Sequence, residues 1–177
     1  MDPAADPNAQ WPDAIFAAFK RARVRQVGYV PDAGHSRLIN LCKDDLEIND
    51  VVLTTEEEGV GLAAGAWLGG ERAALLMQSS GVGNCINTFS LLKSCGFPCL
   101  VLVTMRGEYA EFNPWQIPMG SIVDESLKLC GFLVYRADSP DEVADTVASA
   151  CDLAFESHQA VAVLLSQKLI GRKVWVK

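Results

Sequence analysis

The chain has 177 residues and a formal net charge of −7, and half of its residues are apolar. It is long enough for one domain with a sizeable core. Its acidity argues against nucleic-acid binding, because phosphate backbones attract basic patches. No run of about 18 uncharged apolar residues occurs, so no membrane-spanning segment is predicted. The first residues lack the basic and apolar regions of a signal peptide.

Residues 1–10 are rich in Pro, Asp and Ala and are predicted to be a flexible tail, while residues 11–177 are expected to form one domain. Short apolar runs then alternate with runs of helical spacing. The predicted strands are 26–30, 51–55, 73–78, 99–105, 131–136 and 160–166. The predicted helices are 11–22, 36–45, 56–69, 84–95, 121–129 and 140–157. The last helix has a clear start, since Ser139 can cap it, Pro140 suits its first position and Glu142 suits its first turn.

This alternation predicts an α/β fold of three layers, with a mostly parallel sheet of about six strands between helices on both faces. The strands are continuous apolar runs, which is typical of strands buried on both sides. One connection, Arg106–Gly120, is long and polar and follows such a strand. Long loops in compact domains are usually functional or disordered, and open α/β sheets bind ligands at the carboxyl ends of their strands. We therefore expect this loop to belong to a binding site.

The six cysteines indicate a protein with free thiols. None forms a C-x-x-C pair, and several lie in apolar segments, where cysteine acts as a small hydrophobic residue. A zinc site would need clustered ligands, and the only histidines that could join the cysteines are His35 and His158. We expect reduced cysteines and a cytoplasmic location.

The segment Thr54–Gly70 places three successive glutamates at a strand-to-helix junction. In one interpretation the glutamates only stabilise the start of the helix, because acidic residues favour a helix N-terminus and Thr55 with Glu58 fits a capping box. The other is functional. The helix is rich in Gly and Ala and apolar almost all round, which predicts a buried helix packed close to a neighbour. A carboxylate that opens a buried helix is a candidate for proton chemistry.

Two further strand-to-helix junctions carry polar groups. In Val30–Ile39, Asp32 can cap a helix, and His35 is the main candidate for a proton shuttle near neutral pH. In Met77–Leu92, a glycine-rich turn precedes a helix, but Ile86 occupies the third glycine position of a G-x-G-x-x-G dinucleotide motif. The turn is predicted to bring backbone close to a ligand. A nucleotide-binding module of Rossmann or flavodoxin type stays an alternative.

Three motifs together resemble a known family. The segments TEEEGVGLAAGAWLGG, LLMQSSGVGNCIN and RG…QIPMG follow the order and spacing of the pyrimidine-binding domains of thiamine-diphosphate-dependent enzymes. The resemblance points to the α subunits of sulfopyruvate decarboxylases, with phosphonopyruvate decarboxylases next. It implies a thiamine-diphosphate-binding fold and a carboxy-lyase for a small 2-oxoacid. With 3-sulfopyruvate as the substrate, the products are sulfoacetaldehyde and CO₂.

The resemblance also implies roles for individual residues. In the family, a glutamate nine residues before the glycine of an A-x-G-hydrophobic helix bonds N1′ of the cofactor's aminopyrimidine, and counting back from Gly65 gives Glu56. Glu57 and Glu58 are then capping or surface residues. The residues implied to line the cofactor are Glu56, Gln78, Gly81, Val82, Gly83 and Asn84. Those implied to act in catalysis are Glu56, Asp32 and His35. Those implied to contact the substrate are Arg106 and Gln116.

Full-length family members carry a second domain, in which a G-D-G…N motif holds Mg²⁺ and the diphosphate. No G-D-G motif occurs in this sequence. The resemblance therefore implies a separate β subunit that supplies this site, together with a contact between α subunits through the Gly/Ala-rich helix. Met105 stands where relatives have Trp, and residues 121–129 also depart from the pattern. The choice of 2-oxoacid therefore stays open, with phosphonopyruvate as one possibility. A non-catalytic regulatory subunit is a further alternative, although the presence of Glu56 argues against it.

Overall fold

The computed structural model describes residues 11–171, and the predicted tail at residues 1–10 lies outside them. The strands are β1 (Val24–Tyr29), β2 (Asn49–Val52), β3 (Arg72–Gln78), β4 (Cys99–Thr104), β5 (Leu133–Ala137) and β6 (Ala160–Leu165). The helices are α1 (Trp11–Arg21), α2 (Ser36–Lys43), α3 (Glu56–Leu68), α4 (Ser79–Cys85), α5 (Ser90–Cys95), α6 (Ile117–Gly120), α7 (Val123–Leu129), α8 (Pro140–Phe155) and α9 (Gln167–Ile170). Short 3₁₀ helices lie at Ala33–His35 and Pro114–Gln116.

The six strands form one sheet in the order β2-β1-β3-β4-β6-β5, and every neighbouring pair is parallel. The predicted α/β fold with six strands is therefore confirmed. Both faces of the sheet are covered, because successive side chains of the central strands β3, β4 and β6 enter opposite cores. In β3, for example, Leu76 belongs to the core under α1, α2 and α8, and Leu75 belongs to the core under α3, α4, α5 and α7. This explains why these strands are continuous apolar runs in the sequence.

The strand order reverses beside β1. From β1 the chain moves to β2 at one edge, and it then returns to β3 on the other side of β1. At such a switch point the connections leave the carboxyl ends of two adjacent strands in opposite directions, which opens a crevice. The loop after β1 and the start of α4 after β3 both lie at this crevice.

The segment Gly81–Asn84 is helical, and the prediction of a glycine-rich turn there was wrong. Helix α4 begins directly after β3, and the predicted helix 84–95 is divided between α4 and α5. The glycines serve close packing instead. A Cβ on Gly81 would lie 2.5 Å from Cγ of Glu56, and one on Gly83 would lie 2.9 Å from Sδ of Met119. A larger residue at Gly81 would displace the Glu56 side chain, and one at Gly83 would displace the Met119 side chain.

Two predictions about helix ends had different outcomes. At α8, the Glu142 carboxylate accepts hydrogen bonds from the backbone N–H groups of Asp138 at 2.8 Å and Ser139 at 3.2 Å, so the predicted start is confirmed. The capping box at α3 was wrong. Thr55 makes no side-chain cap, and Glu58 accepts from the backbone N–H of Thr54 at 2.8 Å.

Helix α3 is not buried all round, contrary to its composition. Val60 and Ala63 pack into the core, whereas Gly61, Gly65 and Leu68 lie on an exposed face. An added Cβ on Gly61 or Gly65 would meet no atom within 4 Å. The helix therefore presents a face of small and apolar residues, with the exposed Glu57 and Glu58 at its N-terminal end, that nothing in residues 11–171 covers.

The cysteines are all unpaired, as predicted. Four of them, Cys42, Cys85, Cys99 and Cys151, are buried, and burial raises the pKa of each of these thiols to about 12. Among residues 11–171, no helix combines the length and the apolar character needed to cross a membrane.

Candidate active site

A pocket of about 180 Å³ opens at the crevice beside the carboxyl ends of β1 and β3. It is lined by Val30, Pro31, Asp32, Glu56, Gln78 and Ser80. Two carboxylates and an amide thus meet in one small concave site, although they are distant from one another in the sequence. Such convergence of polar groups in a pocket marks a candidate functional site.

Glu56 is the first residue of α3, and it is the one buried member of the three glutamates. Its Oε2 accepts a hydrogen bond from Nδ2 of Asn84 at 2.8 Å. Its other oxygen, Oε1, faces Gly81, where an added Cβ would lie 2.6 Å away. Two residues of α4, Asn84 and Gly81, therefore fix the orientation of the Glu56 carboxyl group. Glu57 and Glu58 are exposed and do not line the pocket.

Asp32 precedes the 3₁₀ helix at Ala33–His35 and accepts hydrogen bonds at both carboxylate oxygens. Nε2 of Gln78 donates to Oδ1 at 3.0 Å. The hydroxyl of Thr104 and the backbone N–H of Gly34 donate to Oδ2 at 2.7 and 3.1 Å. Burial opposes ionisation, but the bond from Thr104, the nearby His35 and the other two donors outweigh it and lower the pKa of Asp32. The predicted capping role of Asp32 is also confirmed, since Gly34 belongs to the 3₁₀ helix.

Gln78 is the last residue of β3 and links two groups of the pocket. Its Nε2 donates to Asp32, and its Oε1 accepts from the Ser80 hydroxyl at 3.1 Å. The amide orientation is set by this pair of contacts, because a carboxylate needs the NH₂ end and a hydroxyl is placed to donate to the oxygen. Gln78 therefore presents a fixed polar edge to the pocket.

His35 lies beneath the pocket and not in its wall. The side chain is 1 % exposed, and Nε2 is 3.2 Å from the carbonyl oxygen of Leu102, to which it donates because a carbonyl can only accept. Burial lowers the pKa of His35, although Asp32 nearby opposes this effect. The role of His35 as a proton shuttle stays a prediction. The observed contacts attach the loop after β1 to strand β4.

The loop after β4 is organised by Glu111. Nε of Arg106 donates to Oε2 of Glu111 at 2.6 Å, and its Nη2 donates to Oε1. The same carboxylate accepts from the backbone N–H groups of Gly107 at 3.1 Å and Asn113 at 2.9 Å, and from Nε2 of Gln167 at 2.9 Å. The bond from Arg106, opposed by burial and aided by the other donors, lowers the pKa of Glu111 to about 2.

The two ends of this loop meet. A Cβ on Gly120 would overlap the carbonyl oxygen of Arg106, and Gly107 adopts a positive φ of 81° where a Cβ would lie 2.5 Å from the carbonyl oxygen of Gln116. Neither Arg106 nor Gln116 lines the pocket. Their contact with a substrate stays a prediction, and in this structure the Arg106 charge is already paired with Glu111.

Comparison with known proteins identifies the family. No protein-family model matches the chain. The chain is 36% identical over 154 residues to the sulfopyruvate decarboxylase subunit alpha of Methanococcus maripaludis, covering 86% of this chain and 92% of that protein. It is 36% identical over 152 residues to the same subunit of Methanocaldococcus jannaschii, covering 85% and 90%. The chain belongs to the family of sulfopyruvate decarboxylase alpha subunits.

Two further similarities cover smaller parts of the matched chains. The chain is 38% identical over 140 residues to the phosphonopyruvate decarboxylase of Streptomyces viridochromogenes, covering 77% of this chain and 35% of that protein. The structure of a 2-oxoglutarate:ferredoxin oxidoreductase from Magnetococcus marinus, with 2-oxoglutarate, coenzyme A and succinyl-CoA bound, matches with a TM-score of 0.71 at 12% identity. It covers 93% of this chain and 31% of that chain, and at this identity it shows the shared fold alone.

The resemblance implied site roles for Glu56, Asp32 and Gln78, which the fold brings into one pocket. It implied no role for Ser80, which lines the pocket, or for Thr104, which bonds Asp32 from β4. A signal for Thr104 does exist in the sequence, since it is the one hydroxyl side chain in the strand CLVLVT and lies at its carboxyl end. A polar group at that end of a buried parallel strand needs a partner near the ligand-binding edge.

Proposed function

We propose that this chain is the α subunit of a thiamine-diphosphate-dependent decarboxylase that converts 3-sulfopyruvate and a proton into sulfoacetaldehyde and CO₂. The observation that carries the proposal is Glu56, a buried carboxyl group that opens a helix and lines a pocket at the switch point of the sheet. It stands in a chain whose relatives are named as subunits of this enzyme.

The pocket residues fit an aminopyrimidine ring. Such a ring is flat and small, and its edge offers both donors and acceptors, which match the carboxyl group of Glu56 and the polar edge of Gln78. When bound, thiamine diphosphate supplies the electron sink for the loss of CO₂ from a 2-oxoacid. Glu56 would hold a proton at N1′ of the ring, which is general acid–base assistance of about 10²–10⁴-fold. Asn84 would keep the carboxyl group aligned for that contact.

We place the Mg²⁺ and diphosphate site on a separate β subunit. The relatives that match along 90% or more of their length are named as alpha subunits, whereas the phosphonopyruvate decarboxylase is a longer chain of which this chain covers 35%. We also propose a contact between α subunits through the exposed glycines of α3, Gly61 and Gly65, since small side chains let two helices approach closely. The unpaired cysteines support a reducing, cytoplasmic location.

Two alternatives are less well supported. A phosphonopyruvate decarboxylase subunit is favoured by the 38% identity to such an enzyme over 140 residues. A nucleotide-binding module of Rossmann or flavodoxin type would need a glycine-rich loop around a phosphate. Residues Gly81–Asn84 form part of a helix that packs against Glu56 instead.

The experiment is reconstitution with a separately encoded chain that carries a G-D-G…N motif, followed by measurement of kcat/KM on three acids. We expect sulfopyruvate to be preferred over phosphonopyruvate, and both over pyruvate. A phosphonate carries up to two negative charges against one for a sulfonate, and an extra unpaired charge is costly in a pocket that excludes water. The chain alone should show negligible turnover. Robust turnover without a partner would refute the two-subunit proposal, and a preference for pyruvate would leave only a general 2-oxoacid decarboxylase.

A further inference from the structure

Thr104 makes a buried contact that no motif predicted. It is the last residue of β4, it is 1 % exposed, and its hydroxyl lies 2.7 Å from Oδ2 of Asp32 and 3.4 Å from the carbonyl oxygen of Met77. A hydroxyl has one proton to donate. The shorter distance and the negative charge of the carboxylate assign that proton to Asp32.

Strand register places the donors of Asp32 together. Gln78 and Thr104 are paired residues at the ends of the adjacent strands β3 and β4. Paired residues of parallel strands project from the same face of the sheet. Their side chains can therefore reach the two oxygens of one carboxylate from neighbouring strands.

The 3₁₀ helix supplies the third donor at close range. A Cβ on Gly34 would lie 2.8 Å from Cγ2 of Thr104 and 2.9 Å from Oδ2 of Asp32, so only glycine allows the backbone N–H to approach this closely. Three separate elements thus fix the position of one carboxylate in the pocket wall. An arrangement of this kind holds the group in a single orientation and stabilises its charge.

We propose that Thr104 is a positioning residue of the active site, which with Gln78 holds Asp32 as a fixed, ionised carboxylate facing the cofactor pocket. This inference rests on the proposed decarboxylase function. Glu56 of α3 lines the same pocket as Asp32, and His35 lies in the same loop. Asp32 then acts through its charge and as an acceptor, whereas proton transfer at N1′ of the cofactor is the proposed role of Glu56.

The first test needs no activity. The pKa of Asp32 is measured on the isolated full-length chain from the carboxyl ¹³C chemical shift, with Asp32→Asn used to assign the signal. In Thr104→Val, which keeps the shape and removes the hydroxyl, the pKa should rise by about one unit or more, because a charged acceptor loses a donor. Thr104→Ser should keep the wild-type value. Thr146→Val, on helix α8 away from the pocket, is the matched control and should also leave it unchanged.

Gln78→Met provides a second route if Thr104→Val does not fold. It removes the donor to the other oxygen of Asp32 and should raise the same pKa. An unchanged Asp32 pKa in both variants, or a rise in Thr104→Ser equal to that in Thr104→Val, would overturn the proposal.

The second test uses the reconstituted complex. Thr104→Val should lower kcat by about 10-fold with little change in KM, because Asp32 is then no longer held in its productive orientation, and Thr104→Ser should restore most of the loss. A variant that merely folds poorly would also show less activity. Thr104→Ser separates the two effects, because it restores the hydroxyl and should keep both the wild-type pKa of Asp32 and most of the wild-type kcat. If wild type decarboxylates none of the three acids, the proposed function fails, while the pKa result still decides whether Thr104 holds Asp32. A Thr104→Val complex with wild-type kcat would refute the catalytic part of the inference.

Discussion

Replacing Glu56 by Gln should lower turnover of the reconstituted decarboxylase by about 100-fold or more, in line with the loss of general acid–base assistance. Glutamine has the same size and can still accept the hydrogen bond from Asn84, so α3 and α4 should keep their packing. What is lost is the proton that a carboxyl group can hold at N1′ of the cofactor. Exchange of the cofactor C2 proton with deuterium, followed by NMR, should slow in parallel with turnover.

The neighbouring glutamates supply the controls. Glu57 and Glu58 are exposed, and Glu58 only accepts a hydrogen bond from the backbone of Thr54. Their replacement by Gln should therefore change turnover far less and lower the free energy of unfolding by about 1 kcal/mol at most. If Glu57→Gln or Glu58→Gln proves as damaging as Glu56→Gln, the assignment of the catalytic carboxyl group is wrong.

The layered fold was predictable because its main determinant is local. A strand such as β4 is apolar at every position before its last residue, Thr104, so it must be buried on both faces, and that condition is met by a parallel sheet between two layers of helices. The error at Gly81–Asn84 has the opposite origin. Glycine has a low helix propensity, and the sequence therefore favoured a turn. Contacts with Glu56 and Met119, which need small residues on α4, override that propensity.

The site was predictable only in part, because most of its contacts join residues that are far apart in the sequence. Glu56 could be located because its distance from Gly65 along one helix is fixed. The partners of Asp32 are 46 and 72 residues away, at Gln78 and Thr104, and only the register of β3 with β4 brings them together. The Arg106–Glu111 pair shows the limit most clearly. The resemblance implied that Arg106 contacts the substrate, which stays a prediction, and nothing in the sequence indicated that its guanidinium pairs with Glu111 in the folded loop.

Replacing Glu111 by Gln should lower the midpoint of thermal unfolding at neutral pH by about 6–12 °C. The side chains of Arg106 and Glu111 are 9% and 3% exposed, so the substitution leaves a buried guanidinium without its counter-charge. Breaking a buried pair in this way costs about 3 kcal/mol or more, and 1 kcal/mol shifts the midpoint of a domain of this size by about 2–4 °C.

Two comparisons separate the buried pair from general effects. Asp13→Asn removes the partner of Arg37 in an exposed pair, with side chains 41% and 55% exposed, and should lower the unfolding midpoint far less, because water screens that pair. The double variant Arg106→Gln with Glu111→Gln should recover much of the lost stability, because no unpaired charge then remains in the loop. A shift for Glu111→Gln no larger than that for Asp13→Asn would show that this pair does not hold the loop.

The same pair should make stability depend on pH in a defined window. The pKa of Glu111 is lowered from 4.5 to about 2 in the folded protein, mainly by the hydrogen bond from Arg106. A carboxyl group whose pKa falls on folding stabilises the folded state fully above its unfolded pKa, and that contribution disappears as the pH falls towards the folded pKa. The difference in unfolding midpoint between wild type and Glu111→Gln should therefore be constant above about pH 5 and shrink below about pH 4.5. Scanning calorimetry of both proteins at a series of pH values measures it. A difference that stays the same down to the acid limit would mean that the Glu111 carboxylate is not held ionised by Arg106.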